Sequence, residues 1–135
     1  MRLRFPLLPN SLRWFGPVAV AAVLVYFSLL TAPPPEPPDP MLGSFWDKKL
    51  HFAGYAAFGL SLIYATAASR MHPTRRAALS IGVAVLFGVL IEVLQGPLPA
   101  RYFSYADMLA NALGALLAGG WFLLEPRLEY VPIWH

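Results

Sequence analysis

Three short stretches of the chain contain the side chains that could do chemistry. The first reads DKKLHFAGY, and if it is helical its Asp47, His51 and Tyr55 recur every four residues and stack on one face. A carboxylate one turn before a histidine has the spacing of an ion pair, or of a general base with an orienting acid. The pattern therefore indicates either proton transfer or a structural contact, and partners from elsewhere must decide between them.

The second and third stretches supply such partners. A glutamate and a glutamine lie one turn apart near the end of an apolar run, and an arginine follows the Gly-Pro break after it. A serine, an aspartate and an asparagine then follow at helical spacing. The candidate functional cluster, to which no catalytic role is assigned, comprises Asp47, Lys48, His51, Tyr55, Glu92, Gln95, Arg101, Ser104, Asp107 and Asn111.

The composition points to an integral membrane protein. Of the 135 residues, 58% are hydrophobic and 13% are charged, roughly half the charged fraction of soluble domains. Because there is no cysteine, disulfides, thiolate nucleophiles and cysteine metal sites are excluded. The net charge of +3 is explained by cationic loops that orient membrane proteins, so we expect no nucleic-acid partner.

Four apolar runs approach the ~20 residues that a helix needs to cross a bilayer. We therefore predict an all-α fold, a bundle of four transmembrane helices over residues 14–32, 48–69, 77–95 and 104–124. The chain, 1–135, forms one domain, and its proline-rich residues 33–40 form an extracytoplasmic polyproline linker. The first run has the look of a signal peptide, but its length and the proline at position 33 argue against cleavage.

The distribution of charge predicts the orientation. With four crossings, seven arginines lie on the side of both termini, and three cations, Lys48, Lys49 and Arg101, lie on the other. The positive-inside rule then predicts a multi-pass protein of the plasma membrane with both termini inside. All three polar stretches meet at the outer helix ends, and nothing comparable is expected at the inner ends. Charges at that depth must pair or face a watery cavity, so we expect an ion-pair network that opens outward.

Small residues on the fourth run predict close helix packing. Ala106, Ala110, Gly114 and Ala118 recur at four-residue spacing and form a ridge along one face. Such ridges let membrane helices approach each other without a hydrophobic driving force.

The three polar stretches together resemble a known family. The pattern DK-x-x-HF-x-x-Y begins at Asp47, E-x-x-Q begins at Glu92, and R-x-x-S-x-x-D-x-x-x-N-x-x-G begins at Arg101. In this order and at these separations they are similar to VanZ-like membrane proteins, over about residues 47–119. The resemblance implies a small protein with four or five spans, whose namesake is associated with resistance to the lipoglycopeptide teicoplanin. It also implies that the motif residues form a functional cluster.

Three hypotheses for function remain open. In the first, an outward-facing polar pocket binds or shields an amphiphile of the cell envelope, and Arg101 and Lys48 hold its phosphate or carboxylate. That amphiphile is a membrane lipid headgroup, a lipid-linked precursor or a lipoglycopeptide antibiotic. In the second, a membrane-embedded enzyme uses His51, Glu92 and Asp107 as acid and base groups on a lipid-linked substrate. In the third, the ion-pair network only specifies helix packing.

A metal site is a variant of the second hypothesis. His51 with Asp47, Glu92 and Asp107 has the donor types for zinc or manganese. One histidine beside three cations does not favour such a site, so we predict neither a metal nor another cofactor.

Overall fold

The computed structural model describes residues 2–32, 40–99, 101 and 103–133, and within residues 40–44 it describes the backbone alone. The described residues form helices with one short strand near each terminus. In chain order the elements are β1 (Leu3–Leu7), α1 (Asn10–Val25), α2 (Pro40–Ala65), α3 (Pro73–Gln95), α4 (Tyr105–Gly119), α5 (Trp121–Leu124) and β2 (Leu128–Pro132). A π-helical segment, Tyr26–Leu30, extends α1, and a 3-10 turn, Glu125–Arg127, joins α5 to β2.

Three helical segments of the described chain are long and apolar enough to cross a membrane, judged by length and composition. They are Asn10–Leu30, Pro73–Gln95 and Tyr105–Arg127. Large apolar side chains such as Phe15, Leu86 and Leu116 are exposed on their outer surfaces, as expected for contact with lipid. Helix α2 is not among the three, because its first half carries the charged and polar residues of the DKKLH stretch.

The helix bounds agree best with the predicted ones at the connection between α3 and α4. Helix α3 ends at Gln95 as predicted, and α4 begins one residue after the predicted start. The bounds predicted for the second helix are wrong: α2 begins at Pro40 and ends at Ala65. Proline is tolerated in the first turn of a helix, and at the other end the carbonyl of Ala65 accepts a hydrogen bond from Arg13 Nη1 at 3.0 Å. The rest of the predicted linker, residues 33–39, lies outside the described residues.

The two chain ends form a feature that the all-α prediction missed. Strand β1 pairs in parallel with β2, with Leu3 opposite Leu128. An isolated two-stranded sheet is marginal in stability, so other contacts must support it. The ring of Phe5 packs edge-on against Tyr64, Trp121 and Tyr130 at centroid distances of 6.0, 5.4 and 5.9 Å. We call this end of the bundle the ribbon end.

Buried charged groups also lie at the ribbon end, and the expectation that this end has no polar cluster is wrong. Arg76 of α3 forms an ion pair with Glu125, and the hydroxyl of Tyr130 donates to the same carboxylate at 2.7 Å. Arg13 of α1 is buried and donates from Nε to the carbonyl of Leu8 at 2.9 Å. These cations bind backbone carbonyls and a carboxylate where the chain reverses direction, which hydropathy does not reveal.

Helix α2 lies centrally and packs against α1, α3 and α4. Its closest approach is to α4, where an added Cβ on Gly114 would lie 2.2 Å from the carbonyl oxygen of Phe52. Ala110, Gly114 and Ala118 are buried along this contact, whereas Ala106 is exposed. The predicted small-residue ridge therefore begins one turn later than expected.

Candidate functional site

The residues of the three polar stretches meet at the end of the bundle opposite the ribbon, which we call the site end. The last turn of α3 buries Glu92 and Gln95 there. Ser104 caps α4, since its Oγ accepts a hydrogen bond from the backbone N–H of Asp107 at 3.2 Å. The N–H of Ser104 itself donates to Glu92 Oε2 at 3.2 Å. The end of α3 and the start of α4 are thus joined through one buried carboxylate.

His51 lies at the centre of this cluster. Its Nδ1 lies 2.9 Å from Asn111 Oδ1 and 3.8 Å from Glu92 Oε1. The Nδ1–Oδ1 distance is that of a hydrogen bond between the two side chains. On the other side of the ring, Nε2 lies 3.8 Å from Asp47 Oδ2, across one turn of α2. The imidazole is therefore oriented by α4, and its second nitrogen faces the carboxylate of its own helix.

Lys48 connects α2 to α4. Its Nζ lies 3.0 Å from Asp107 Oδ1 and 4.0 Å from Asp47 Oδ2. The side chain of Asp107 is only 8% exposed, so its carboxylate needs a counter-charge, and Lys48 supplies it. The expectation that Lys48 would act beside Arg101 on a ligand changes accordingly, because its ammonium is engaged with Asp107.

Arg101 and Gln95 reach the end of α1, which the sequence analysis left out of the site. Arg101 Nη2 donates to the carbonyls of Phe27 and Thr31 at 2.5 and 3.0 Å, and Gln95 Nε2 donates to that of Ser28 at 3.0 Å. A π-helical turn displaces carbonyls from the ordinary helical pattern and leaves them open to outside donors. The segment Tyr26–Leu30 is therefore fastened to α3 and to the loop before α4.

Tyr55 is the most deeply buried member of the cluster that α2 contributes, with 1% of its surface exposed. An added Cβ on Gly88 would lie 3.1 Å from Tyr55 Cε1 and 3.1 Å from Asn111 Cβ, so glycine makes room for both side chains. The hydroxyl of Tyr55 has no hydrogen-bond partner among the described residues. A buried hydroxyl without a partner is uncommon and calls for an explanation.

A cavity of about 560 Å³ opens beside this cluster, between the end of α1 and the first half of α2. We call it the site cavity. Its walls are mainly apolar and include a few polar and charged residues. The lining residues are Val23, Leu24, Phe27, Ser28, Thr31, Ala32, Asp47, Leu50, His51, Ala53, Gly54, Tyr55 and Arg101. The volume falls within the range of small-molecule sites.

The site cavity divides the predicted cluster into two groups. Four of the ten predicted residues line it: Asp47, His51, Tyr55 and Arg101. The other six residues do not line the cavity. They contact the lining residues or connect one helix to another: Lys48, Glu92, Gln95, Ser104, Asp107 and Asn111. The sequence analysis missed the wall that α1 contributes, and no local signal could have found it, because a lipid-facing helix has the same composition.

Asp47, His51 and Asp107 also satisfy the geometry of a metal site within the described residues, since one donor atom of each lies within 4.8 Å of the others. However, the ammonium of Lys48 already contacts the carboxylate of Asp107. A metal ion at this point would meet a fixed positive charge, which disfavours its binding.

Comparison of the chain with protein families, curated proteins and solved structures finds no match. The resemblance to VanZ-like proteins therefore rests on the three motifs and their order, and it enters below only as a proposal.

Proposed function

We propose that this chain is a VanZ-like protein of the plasma membrane that binds an amphiphilic component of the cell envelope in the site cavity. The observation that carries the proposal is the form of that cavity. Apolar residues such as Val23, Leu24 and Leu50 line its walls, and Asp47 and Arg101 lie among its polar residues. An amphiphile has the same division between an apolar chain and a polar headgroup. A lipid headgroup, a lipid-linked precursor and a lipoglycopeptide antibiotic all belong to this class.

We further propose four membrane crossings, with both termini in the cytoplasm and the site cavity on the outer side. The pairing of β1 with β2 supports an even number of crossings, because it holds the two chain ends side by side. Three crossing helices would separate them, which supports α2 as the segment that returns the chain through the membrane. Two of its polar residues contact α4, since Lys48 pairs with Asp107 and His51 lies at hydrogen-bond distance from Asn111. The excess of arginine near the termini supports the orientation.

Filling the cavity tests the binding proposal. Ala53 lines the cavity, and Ala57, one turn further along α2, is equally exposed but is not a lining residue. We expect Ala53→Trp to abolish retention of amphiphiles by the purified protein, and Ala57→Trp to leave it unchanged. Mass spectrometry of the lipids extracted from each variant, at matched size-exclusion profiles, measures this. Equal retention by the two variants, or no retained amphiphile in the unmodified protein, would refute the proposal.

Thiol labelling tests the topology, since the chain has no cysteine of its own. A cysteine in place of Glu36 should react with an impermeant maleimide on intact cells. One in place of Ser69, exposed in the turn after α2, should react only after the membrane is opened. The opposite pattern would reverse the proposed orientation.

One observation favours an enzyme as a second candidate. The contact with Asn111 orients the imidazole of His51 and leaves Nε2 beside Asp47, in a residue that lines the cavity. A histidine oriented in this way can act as a general base toward a bound lipid-linked substrate. An enzyme should convert the retained lipid during incubation and His51→Gln should stop the conversion, whereas a binding protein should return it unchanged.

A further inference from the structure

The lining of the site cavity includes one carboxylate and one guanidinium. Among the lining residues, Asp47 is the anion and Arg101 the cation. Lys49 is exposed and does not line the cavity, and Lys48 is engaged with Asp107. The sequence suggested that two cations would grip an anionic group, but the lining has no excess of positive charge while His51 is neutral. A purely anionic headgroup would therefore leave the charge of Asp47 without compensation.

Arg101 is the residue of the cavity lining that can bind an anionic group. Nη2 of Arg101 donates to two carbonyls of the α1 end, but Nε is buried without a hydrogen-bond partner among the described residues. The hydroxyl of Tyr55 is also buried without a hydrogen-bond partner among the described residues. Leaving such donors unpaired costs free energy, and a phosphate or carboxylate oxygen is the acceptor that a guanidinium binds best. Since Arg101 lines the cavity, its guanidinium indicates a ligand with anionic oxygens.

The side near Asp47 has the opposite character. His51 Nε2 lies 3.8 Å and Lys48 Nζ lies 4.0 Å from its carboxylate, and both distances are longer than a hydrogen bond. The side chain is 37% exposed and lines the cavity. A carboxylate in this state has the capacity to bind an ammonium group from a ligand.

Resting on the function proposed above, we infer that the site cavity selects amphiphiles with a zwitterionic headgroup, which joins a phosphate to an ammonium group. The phosphate binds toward Arg101 and Tyr55, the ammonium binds toward Asp47, and the acyl chain lies along the apolar wall of α1 and α2. Each charge of the lining then has a partner of opposite sign in the ligand, which neither an anionic nor an uncharged headgroup provides.

Four short-chain lipids with identical pairs of acyl chains test this inference. Their headgroups are phosphoethanolamine, phosphocholine, phosphoglycerol and an uncharged sugar. Binding to the purified, detergent-solubilised protein is measured by native mass spectrometry, with Ala53→Trp as the variant that lacks the cavity. We expect the two zwitterionic lipids to bind about tenfold more tightly than the other two, since one charge-assisted contact has roughly that effect.

Two variants assign the two charges. Asp47→Asn should abolish the preference for phosphoethanolamine over phosphoglycerol, because it removes the anion that binds the ammonium. Arg101→Gln should weaken binding of all three phospholipids about tenfold and leave that of the sugar lipid unchanged. Two exposed residues outside the cavity lining provide the control variants, Lys49→Gln and Glu129→Gln. Each removes one charge, and neither should change the preference for phosphoethanolamine over phosphoglycerol or the affinity for the three phospholipids.

The outcomes separate the two proposals. In one outcome, the lipids bind to the unmodified protein but not to Ala53→Trp, and the phosphoglycerol or the sugar lipid binds as tightly as the phosphoethanolamine lipid. This result would overturn the zwitterion inference and leave the amphiphile site intact. An unchanged preference in Asp47→Asn would also overturn it. Failure of all four lipids to bind, or equal binding to Ala53→Trp, would overturn the amphiphile site itself.

Discussion

Gly114 determines how closely α2 and α4 approach each other, and replacing it with alanine should separate the two helices. The added Cβ would lie 2.2 Å from the carbonyl oxygen of Phe52 and 3.0 Å from the backbone nitrogen of Ala56. Ordinary van der Waals contact begins at 3.4 Å, so the first distance falls short by 1.2 Å. Both opposing atoms belong to the backbone of α2, and a helix backbone cannot move aside as a side chain can. Relief therefore requires the helices to move apart.

The magnitude follows from the cost of overpacking, which is typically about 1–3 kcal/mol. With a backbone clash of this size we expect Gly114→Ala to lower the free energy of unfolding by on the order of 2 kcal/mol or more. The separation should also disturb the site, because Phe52 adjoins His51, and His51 Nδ1 lies only 2.9 Å from Asn111 on α4. Lipid retention should therefore fall together with stability.

Gly82 provides the matched control. It lies in α3, and an added Cβ would meet nothing within 4 Å. Alanine is the better helix former by about 1 kcal/mol, so Gly82→Ala should stabilise the protein or leave it unchanged. Unfolding by dodecyl sulfate in mixed micelles, followed by circular dichroism, measures both variants. If Gly114→Ala proved as stable as Gly82→Ala, the close contact between α2 and α4 would be refuted.

Three further predictions concern the two ends of the bundle. Arg76→Gln should lower the free energy of unfolding by on the order of 3 kcal/mol in the same assay, because it leaves Glu125 without its ion pair. Arg75→Gln is the control: it changes an exposed neighbouring residue and should have little effect. Burial, together with a hydrogen bond to Glu125, raises the pKa of Tyr130 from 10.0 to about 12. The stability that this protonated tyrosine contributes should therefore be complete below pH 10 and fall as the pH approaches 12, and a Tyr130→Phe variant should lack this component of the alkaline unfolding curve. Glu92→Gln keeps an acceptor for the backbone N–H at the start of α4 and should accumulate in the membrane as the unmodified protein does. Glu92→Ala removes this acceptor and should accumulate poorly, as measured by immunoblots. Equal accumulation of the two variants would show that the hydrogen bond between Glu92 and this N–H is dispensable.

Much of the helical architecture could be predicted from local pattern alone. The apolar runs and the Gly-Pro break identify α3, its end at Gln95 and the start of α4 within one residue. The role of Ser104 as the cap of α4 follows from residue type, since a serine three residues before an aspartate can satisfy its N–H. These features depend on nearest neighbours in the chain, and such interactions are legible in a sequence.

The partners of the charged residues could not be predicted in the same way. Lys48 was expected to face a ligand and instead pairs with Asp107, while Arg101 binds carbonyls of a π-helical turn that has no sequence signature. Arg13 and Arg76 are two of the seven arginines that predict the orientation, yet both are buried at the ribbon end. Which group a long cationic side chain reaches depends on the distance between elements far apart in sequence.

By itself, the sequence determined that this is a helical, membrane-type chain whose three polar stretches meet at one end of the bundle, because hydropathy and helix direction follow from residue order. Only the tertiary structure decided that the chain ends pair in a parallel ribbon and that α1 forms a wall of the site cavity. The physical reason is that strand pairing and cavity walls arise from contacts between distant segments. Their free energy depends on shape and on the spacing between helices, which the composition of any one segment does not encode.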